Sequence, residues 1–397
     1  MNLSFDEEGR LIGAWFQGIT YRRALDNRIL AKWSESPRPG HRHRRFLTRE
    51  GVRAVEDRAL SYVERVFHHL SRGRMDTGST PFSVVSRVQE WLQRVRRWDW
   101  ARLEQERERF YRIYKPVPIL PPDQYLALVL QATEGCSYNR CTFCTFYRDR
   151  PFRIKGVDVF REHVDRVKGF FGRGITTRRT IFLADANAVM VAQDRLLAFL
   201  DVANEAFPIL PHHLSGSERA LWREAHPWHI QGIYAFLSAP DALRKTAADF
   251  AAMRERNLRR VYVGLETGHD PLRAFIRKQG TAADVLEAVR TIKAGGVSVG
   301  IIFMVGIGGE VYREVHFRDT VSLIRQMPLG PGDILYTSPF VASPEAPYVY
   351  DAAEAGLLEL TPVQLRAEEE RFRRALLPWA RERDVRVSHY DIREFIY

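Results

Sequence analysis

Two hydrophobic periodicities divide the chain at a proline-rich stretch. Upstream, apolar residues recur every three or four positions. Arg49–Leu70 places Val52, Val55, Leu60, Val63 and Val66 at near-helical spacing. Phe82–Tyr114 carries a second long helical pattern, polar on one side and rich in tryptophan on the other. Breakers flank these segments, "SPRPGHRHRR" at Ser36–Arg45 and "SRGRMDTGSTP" at Ser71–Pro81. The first part of the chain is therefore expected to be mainly helical. "KPVPILPPDQ" (Lys115–Gln124) then packs four prolines into ten residues. Proline cannot continue a helix and drives extended backbone, so a domain boundary is expected there.

Downstream, short apolar runs alternate with amphipathic stretches. The runs are Tyr125–Thr133, Thr180–Asp185, Ile230–Ser238, Arg260–Glu266, Val297–Gly306 and Asp333–Val341. Between them lie helical patterns at Asp158–Phe171, Ala192–Ala206, Ala242–Glu255, Ala282–Ala294 and Glu314–Gln326. Strands apolar on both faces, separated by helices, imply an α/β protein with a parallel sheet and helices outside. Six such units suit a partial barrel as well as an open doubly wound sheet. Another helix is expected at about Thr361–Arg381, followed by the aromatic-rich end "SHYDIREFIY". Aromatics are uncommon in disordered termini, so a docked tail is expected. The expected organisation is a basic, mainly helical region at 1–123, a strand–helix domain at 124–345, and a C-terminal helix and tail at 346–397 that cover the barrel.

Composition narrows the class. An apolar content of 45% across 397 residues supports a substantial core. The longest apolar run, near Val297–Ile307, is well short of the ~20 residues that span a bilayer. The N-terminus, "MNLSFDEEGR", is too acidic and polar for a signal peptide. A soluble cytoplasmic protein without membrane contact is the expectation. The net charge of +11 is concentrated in residues 1–123, where 24 Lys and Arg face 16 Asp and Glu. Such an excess favours anionic partners, nucleic acid among them, although only 7 of the 60 basic residues are lysine and an arginine-rich solvated surface reads the same way. An RNA grip would use Arg42, Arg44, Arg45, Arg94, Arg96 and Arg97, with Trp91, Trp98 and Trp100 for stacking. A tryptophan stripe at helical spacing is more often core.

All three cysteines, Cys136, Cys141 and Cys144, fall in "EGCSYNRCTFCTFYRDR". An odd, clustered set in a chain read as cytoplasmic points to metal ligation or redox chemistry and not to a disulfide framework. The cluster follows the first strand of the α/β pattern, and strand-to-helix loops at that end of a parallel sheet are where chemistry is placed. Thiolate is a soft ligand suited to zinc or iron–sulfur. A structural zinc site needs a fourth ligand, and the next histidine, His163, is nineteen residues past Cys144.

This loop resembles the cluster loop of the radical S-adenosylmethionine (radical SAM) superfamily. Phe143 stands before the last cysteine, as is usual there. Four residues, "SYNR", separate Cys136 from Cys141 where the superfamily usually has three, which resembles an uncharacterised branch with a Cx4Cx2C loop. The resemblance implies a partial (βα)6 TIM-like barrel with an N-terminal helical domain and a C-terminal helical tail. It implies that the three cysteines hold a [4Fe-4S] cluster whose open iron binds S-adenosyl-L-methionine. It places cofactor contacts at backbone carbonyls near Ala184 and Asp185 after the second strand, at Glu266 after the fourth, and at Gly306 after the fifth. It further implies a one-electron donor such as flavodoxin or ferredoxin, and a 5′-deoxyadenosyl radical that takes hydrogen from a substrate, best read as a small molecule. RNA as substrate, or a non-enzymatic iron–sulfur or zinc protein, are the alternatives. With no further cysteine, a second thiolate-bound cluster is excluded. The histidine pairs lack partners at ligand spacing; His229, before the third strand, would be the first catalytic candidate among them.

Overall fold

The computed structural model describes residues 1–34 and 42–397, without the side chain of Arg42, so His41 and the whole first half of the Ser36–Arg45 breaker lie outside the described residues. The chain divides into two compact units. One comprises Met1–Pro118, Asp165–Arg178 and Ile396–Tyr397; the other comprises Ile119–Val164 and Arg179–Phe395.

The first unit opens with a sheet that helical periodicity did not foretell. Strands β1 (Asn2–Phe5), β2 (Leu11–Phe16), β3 (Ile19–Arg23), β4 (Ile29–Ser34) and β5 (Arg42–Phe46) pair antiparallel in chain order. Gln17 and Gly18, both at positive φ (54° and 75°), make the two-residue turn between β2 and β3. Helix α1 (Arg49–Ser71) lays Val52, Val55 and Ala59 on the sheet's Leu11, Phe16, Tyr21 and Ile29. The long pattern at Phe82–Tyr114 is two helices, α2 (Phe82–Arg96) and α3 (Trp100–Ile113). They break where Asp99 caps α3 by accepting a hydrogen bond from Arg102 N at 2.9 Å.

Trp91, Trp98 and Trp100 are half-buried and tied into this unit. Trp91 Nε1 donates to Asp6 O at 3.2 Å and Trp98 Nε1 to Glu8 O at 2.7 Å. Trp100 packs against the sheet core. Buried Arg10 joins Asp6 (2.7 Å) and Glu106 (2.9 Å) and donates to the carbonyls of Phe170 and Phe171. A fully hydrogen-bonded buried guanidinium of this kind specifies one packing.

The second unit is a parallel sheet of seven strands, curved into a partial barrel. Its strands are β6 (Ala127–Gln131), β9 (Thr180–Ala184), β10 (Ile233–Phe236), β11 (Leu258–Glu266), β12 (Ser298–Val305), β13 (Ile334–Pro339) and β14 (Arg386–His389), adjacent in that order. Six coincide with the apolar runs. The seventh comes from the tail, so the sheet exceeds the expected six strands. Two short segments, β7 (Thr133–Glu134) and β8 (Arg153–Ile154), pair antiparallel and close the base of the cysteine loop. Crossovers carry α4 (Val157–Phe171), α5 (Gln193–Ala206), α6 (Gly216–Ala225), α7 (Ala239–Ala242), α8 (Ala247–Glu255), α9 (Asp270–Phe275), α10 (Ala282–Ala294), α11 (Gly309–Gln326), α12 (Pro347–Glu354) and α13 (Pro362–Arg381). The expected Ala242–Glu255 helix is split because Thr246 and Asp249 form a capping box that restarts it.

Inward-facing rings fill the barrel. Phe182 meets Phe236 at 5.1 Å, Tyr262 meets Tyr336 at 6.5 Å, and Tyr336 meets Tyr390 of the tail at 5.6 Å, all as ring centroids. Asp123 plugs the floor. It accepts from Tyr262 OH and Tyr336 OH, each at 2.6 Å, and from Arg260 at 2.8 Å. These bonds seal the floor at the strands' N-terminal ends. No helix of the described residues is long and apolar enough to cross a membrane.

Candidate active site at the cysteine loop

The loop between the short strands β7 and β8 is built to hold one shape. Gly135 sits at φ 79°, and a Cβ there would come within 2.9 Å of Pro151 O, so only glycine fits. Its N–H donates to Asp185 Oδ2 at 2.9 Å. Asn139, at φ 47°, donates its N–H to Cys136 Sγ at 3.4 Å and its side-chain amide to Tyr147 O at 3.1 Å. Arg148 clasps the carbonyls of Cys144 (3.0 Å) and Cys141 (3.2 Å). Thr142 ties the loop outward, donating N–H to Ile276 O and accepting from Tyr348 N, both at 3.1 Å.

All three thiols line a single cavity of about 230 Å³ at the C-terminal ends of the strands. Its other walls follow the two-residue period of inward-facing strand positions: Tyr262, Gly264 and Glu266 of β11, Ile302 and Met304 of β12, then Ser338 on β13. Tyr390 and Ile392 of the tail, with Ile119, close the side between the sheet's two edges. Burial pushes the Cys144 thiol up to about 11 and raises that of Cys141. Thiols so placed give up their protons only when a metal compensates the desolvated charge.

Among the described residues, no three His, Cys, Asp or Glu side chains are placed to hold one metal ion. Ligands of an iron–sulfur cube bind different iron atoms and stand further apart than ligands of a single ion. Three soft donors facing one cavity, with no fourth protein ligand, fit a cube with one open corner.

Glu266 stands at the mouth of this cavity. A bulge between Gly264 and Glu266 in the pairing with β12 ends the strand, and Glu266 takes φ 60°, an uncommon conformation for a side-chain-bearing residue. Its Oε1 accepts from Lys278 Nζ at 2.7 Å. Burial opposes the lysine's charge, but Glu266 and Cys141 outweigh it and hold its pKa above the ordinary range. The pair lies over Gly264, where a Cβ would fall 2.1 Å from Glu266 Oε1. Lys278 and Gly264 carry no signal in the sequence; the first is one base among many and the second a glycine within a strand.

The other sequence-derived positions lie elsewhere. Ala184 and Asp185 are buried behind the wall, which at the end of β9 is formed by Ala186 and Asn187. The Asp185 carboxylate turns to the cysteine loop, accepting from Gln131 Nε2 and Gly135 N at 2.9 Å each. Burial pushes its pKa up to about 6 against those hydrogen bonds. Asn187 links the walls: its amide donates to Asp241 (2.6 Å) and Ser137 (3.1 Å), and its oxygen accepts from Ser238 N (2.9 Å). Gly306 does not line the cavity. Its Cβ would strike Leu365 of α13 at 2.6 Å, so the glycine serves helix packing. His229 lies four residues before β10, at the strands' N-terminal side, and its ring bonds to His226 O.

Behind the cavity, fully buried His316 spans the ends of β11 and β12. Nε2 contacts Met304 O at 2.9 Å, and Nδ1 contacts Thr267 Oγ1 at 2.7 Å. A carbonyl only accepts, so Nε2 donates and Nδ1 accepts from the hydroxyl. Burial pulls this histidine down to about 4. An unfolded histidine binds its proton near 6.5, so this contribution to stability is intact above that pH and is lost as pH falls from about 6.5 to about 4. Acidification from pH 7 to 5 should therefore cost about 2 kcal/mol through this residue. His316→Gln should show a correspondingly smaller pH dependence of its unfolding midpoint; equal pH dependence in both proteins would show that the ring titrates normally.

A parallel partial barrel whose first strand-to-helix loop points three thiols into the cavity at its C-terminal end defines a metal-cluster enzyme architecture. The family model of the radical SAM superfamily matches residues 130–321, and this domain of the chain belongs to that superfamily. The superfamily's cofactors are a [4Fe-4S] cluster and S-adenosylmethionine. No curated protein matches the chain significantly. Among solved structures, it is similar to the cobalamin-dependent S-adenosylmethionine radical enzyme OxsB (14% identity, 65% of this chain and 36% of that one, TM-score 0.37). It is also similar to coproporphyrinogen III oxidase (HemN) from Escherichia coli (10% identity, 68% and 55% covered, TM-score 0.42). A third is the radical S-adenosylmethionine methyltransferase TsrM from Kitasatospora setae (14% identity, 70% and 58% covered, TM-score 0.40). The chain thus spans little more than a third of OxsB and little more than half of the other two.

Proposed function

We propose that this radical SAM enzyme generates a substrate radical by hydrogen abstraction, with Cys136, Cys141 and Cys144 as the ligands of its [4Fe-4S] cluster. The observation that carries this reading is the convergence of the only three thiols on one cavity that is also lined by the Glu266–Lys278 pair. When bound, the cluster and S-adenosylmethionine supply the one-electron cleavage that yields a 5′-deoxyadenosyl radical.

The chain's own residues bind, orient and exclude water. Asp185, Asn139 and Arg148 fix the ligand loop through its backbone. Glu266, paired with Lys278 through Oε1, offers its second carboxylate oxygen to ribose hydroxyls. Phe143, Phe236, Tyr262, Met304 and Tyr390 give the remaining wall an apolar, aromatic character that suits a small substrate and shields a reactive carbon from water. The indole N–H groups of Trp91 and Trp98 are bonded to backbone carbonyls of their own unit, which supports the small-molecule reading over RNA.

Glu266→Gln tests this assignment, because it keeps the shape and removes the charge. Cluster content should be unchanged, and S-adenosylmethionine should bind more weakly by ~1–3 kcal/mol, the usual loss for a charged acceptor. Equilibrium binding to the cluster-loaded protein measures it. Unaltered affinity would assign Glu266 to pairing with Lys278 alone.

A further inference from the structure

The cavity at the cysteine loop is electrically divided. Apart from thiols and phenols, its ionisable side chains are Glu266, Arg273 and Lys278, and all three come from the end of β11 and the segment that follows it. Among the described residues, the sector built by β12, β13 and the tail carries no charged side chain; Ile302, Met304, Ser338, Phe340, Tyr390 and Ile392 line it. We infer that this sector receives the substrate, and that the substrate is an uncharged, largely apolar molecule with one hydroxyl or carbonyl group. The inference rests on the radical SAM reading above and names the substrate class of that same site.

Charge argues first. The charged groups of the cavity are already committed. Lys278 Nζ donates to Glu266 Oε1 at 2.7 Å. The buried Arg273 guanidinium donates to the carbonyls of Leu265 (2.6 Å), Gly280 (2.9 Å), Gln279 (3.1 Å) and Thr267 (3.2 Å). Arg273 is thus held by backbone, and it braces the segment after β11 instead of gripping a carboxylate or phosphate. An ion placed against β12, β13 and the tail would lose its water and meet no counter-charge. An amino acid, a nucleotide or a phosphorylated sugar fits that sector poorly for this reason.

Hydrogen bonding argues second. The phenols of the wall are spent elsewhere: Tyr262 OH donates to Asp123 at 2.6 Å and Tyr390 OH to Leu120 O at 2.8 Å. Both side chains therefore offer ring carbon to an occupant. The Asn187 side chain is spent on Asp241, Ser137 and Ser238. Ser338 differs. It follows inward-facing Tyr336 by the two-residue period of a strand, it lines the cavity, and only 5% of it is exposed. Among the described residues its hydroxyl has no hydrogen-bond partner. A buried hydroxyl in that position is satisfied by what enters the cavity. Around it, the Met304 thioether and the rings of Phe340 and Tyr390 suit an aromatic or alicyclic face. One polar handle on an apolar body is the complement of this wall.

The test titrates the full-length, cluster-loaded protein by calorimetry in the presence of S-adenosylmethionine. Three probes share one ring system and differ in charge: 2-naphthylmethanol, 2-naphthoate and 2-naphthylmethylammonium. The neutral alcohol should bind about tenfold or more tighter than either ion, because only the ions carry an uncompensated charge into the wall. Ser338→Ala should weaken the alcohol about three- to tenfold, the usual loss for one neutral hydrogen bond, and Ser338→Thr, which keeps a hydroxyl, should restore most of it. Ser338→Asp should invert the order, so that the ammonium binds best. Equal affinity for the three probes, tighter binding of either ion to the wild-type protein, or no saturable binding of the alcohol would overturn the inference. So would an alcohol affinity that Ser338→Ala leaves unchanged. Failure of the wild-type protein to cleave S-adenosylmethionine with dithionite would instead count against the radical SAM chemistry itself, and probe binding is read without that chemistry, so the two failures are separable.

Discussion

Replacing Cys136, Cys141 or Cys144 by alanine, one at a time, should strip the protein of its cluster while leaving it folded. In the proposed reading each thiol would supply one corner of the cube, and the sequence holds no fourth cysteine to take its place. The loop is held by other groups: Gly135 to Asp185, Asn139 to Tyr147, Thr142 to Ile276 and Tyr348. Unfolding temperatures of the metal-free proteins should therefore change little. Iron, about four per chain in wild type purified without oxygen, should fall towards zero in each variant. A single variant that kept a full cluster with an unchanged spectrum would remove that cysteine from the ligand set.

Truncation after His389 should have the second largest effect, and the effect should be on folding. The deleted segment includes Tyr390, Phe395, Ile396 and Tyr397, all buried. Tyr390 packs on Tyr336 inside the barrel and donates its hydroxyl to Leu120 O at 2.8 Å; Phe395 packs on Tyr125 at 5.4 Å. In the N-terminal unit, Tyr397 packs on Tyr114 at 5.9 Å, and its carbonyl accepts from Leu25 N at 3.2 Å. Loss of one large buried side chain typically costs ~3–5 kcal/mol, and whole domains are stable by only ~5–15 kcal/mol. Four such losses should leave a chain that fails to accumulate in soluble form or melts well below the full-length protein. Tyr390→Phe, which deletes one hydroxyl, should cost only about 1 kcal/mol. A truncated chain with an unshifted melting temperature would show that the tail is no part of the core.

What the sequence disclosed follows from how each feature is encoded. The six barrel strands read from the sequence are largely buried on both faces, so each stands out as a continuous run. The seventh, "RVSH", is a half-exposed edge strand with one apolar residue, and it looks like any polar loop. The N-terminal sheet is hidden for the same reason: its strands are solvated on one side, and the regular helices after them dominate the pattern. The cysteine loop was legible because thiols are scarce and their spacing is local. Glu266 was legible as the polar end of a buried strand. Its partner Lys278 was not, because eleven residues and a helix intervene and nothing local records the contact. Gly306 shows the converse limit. A glycine after a strand looks the same whether a cofactor or Leu365 crowds it.

The central claim is that three thiols of one loop arm the barrel for reductive cleavage of S-adenosylmethionine. The measurement that tests it most directly is 5′-deoxyadenosine, quantified by mass spectrometry after anaerobic incubation of the cluster-loaded protein with S-adenosylmethionine and dithionite. The account predicts 5′-deoxyadenosine formation that requires both the cluster and the reductant and disappears in the Cys141→Ala variant. A protein with a full, reducible cluster that binds S-adenosylmethionine yet forms no 5′-deoxyadenosine, or an equal yield from Cys141→Ala, would contradict it.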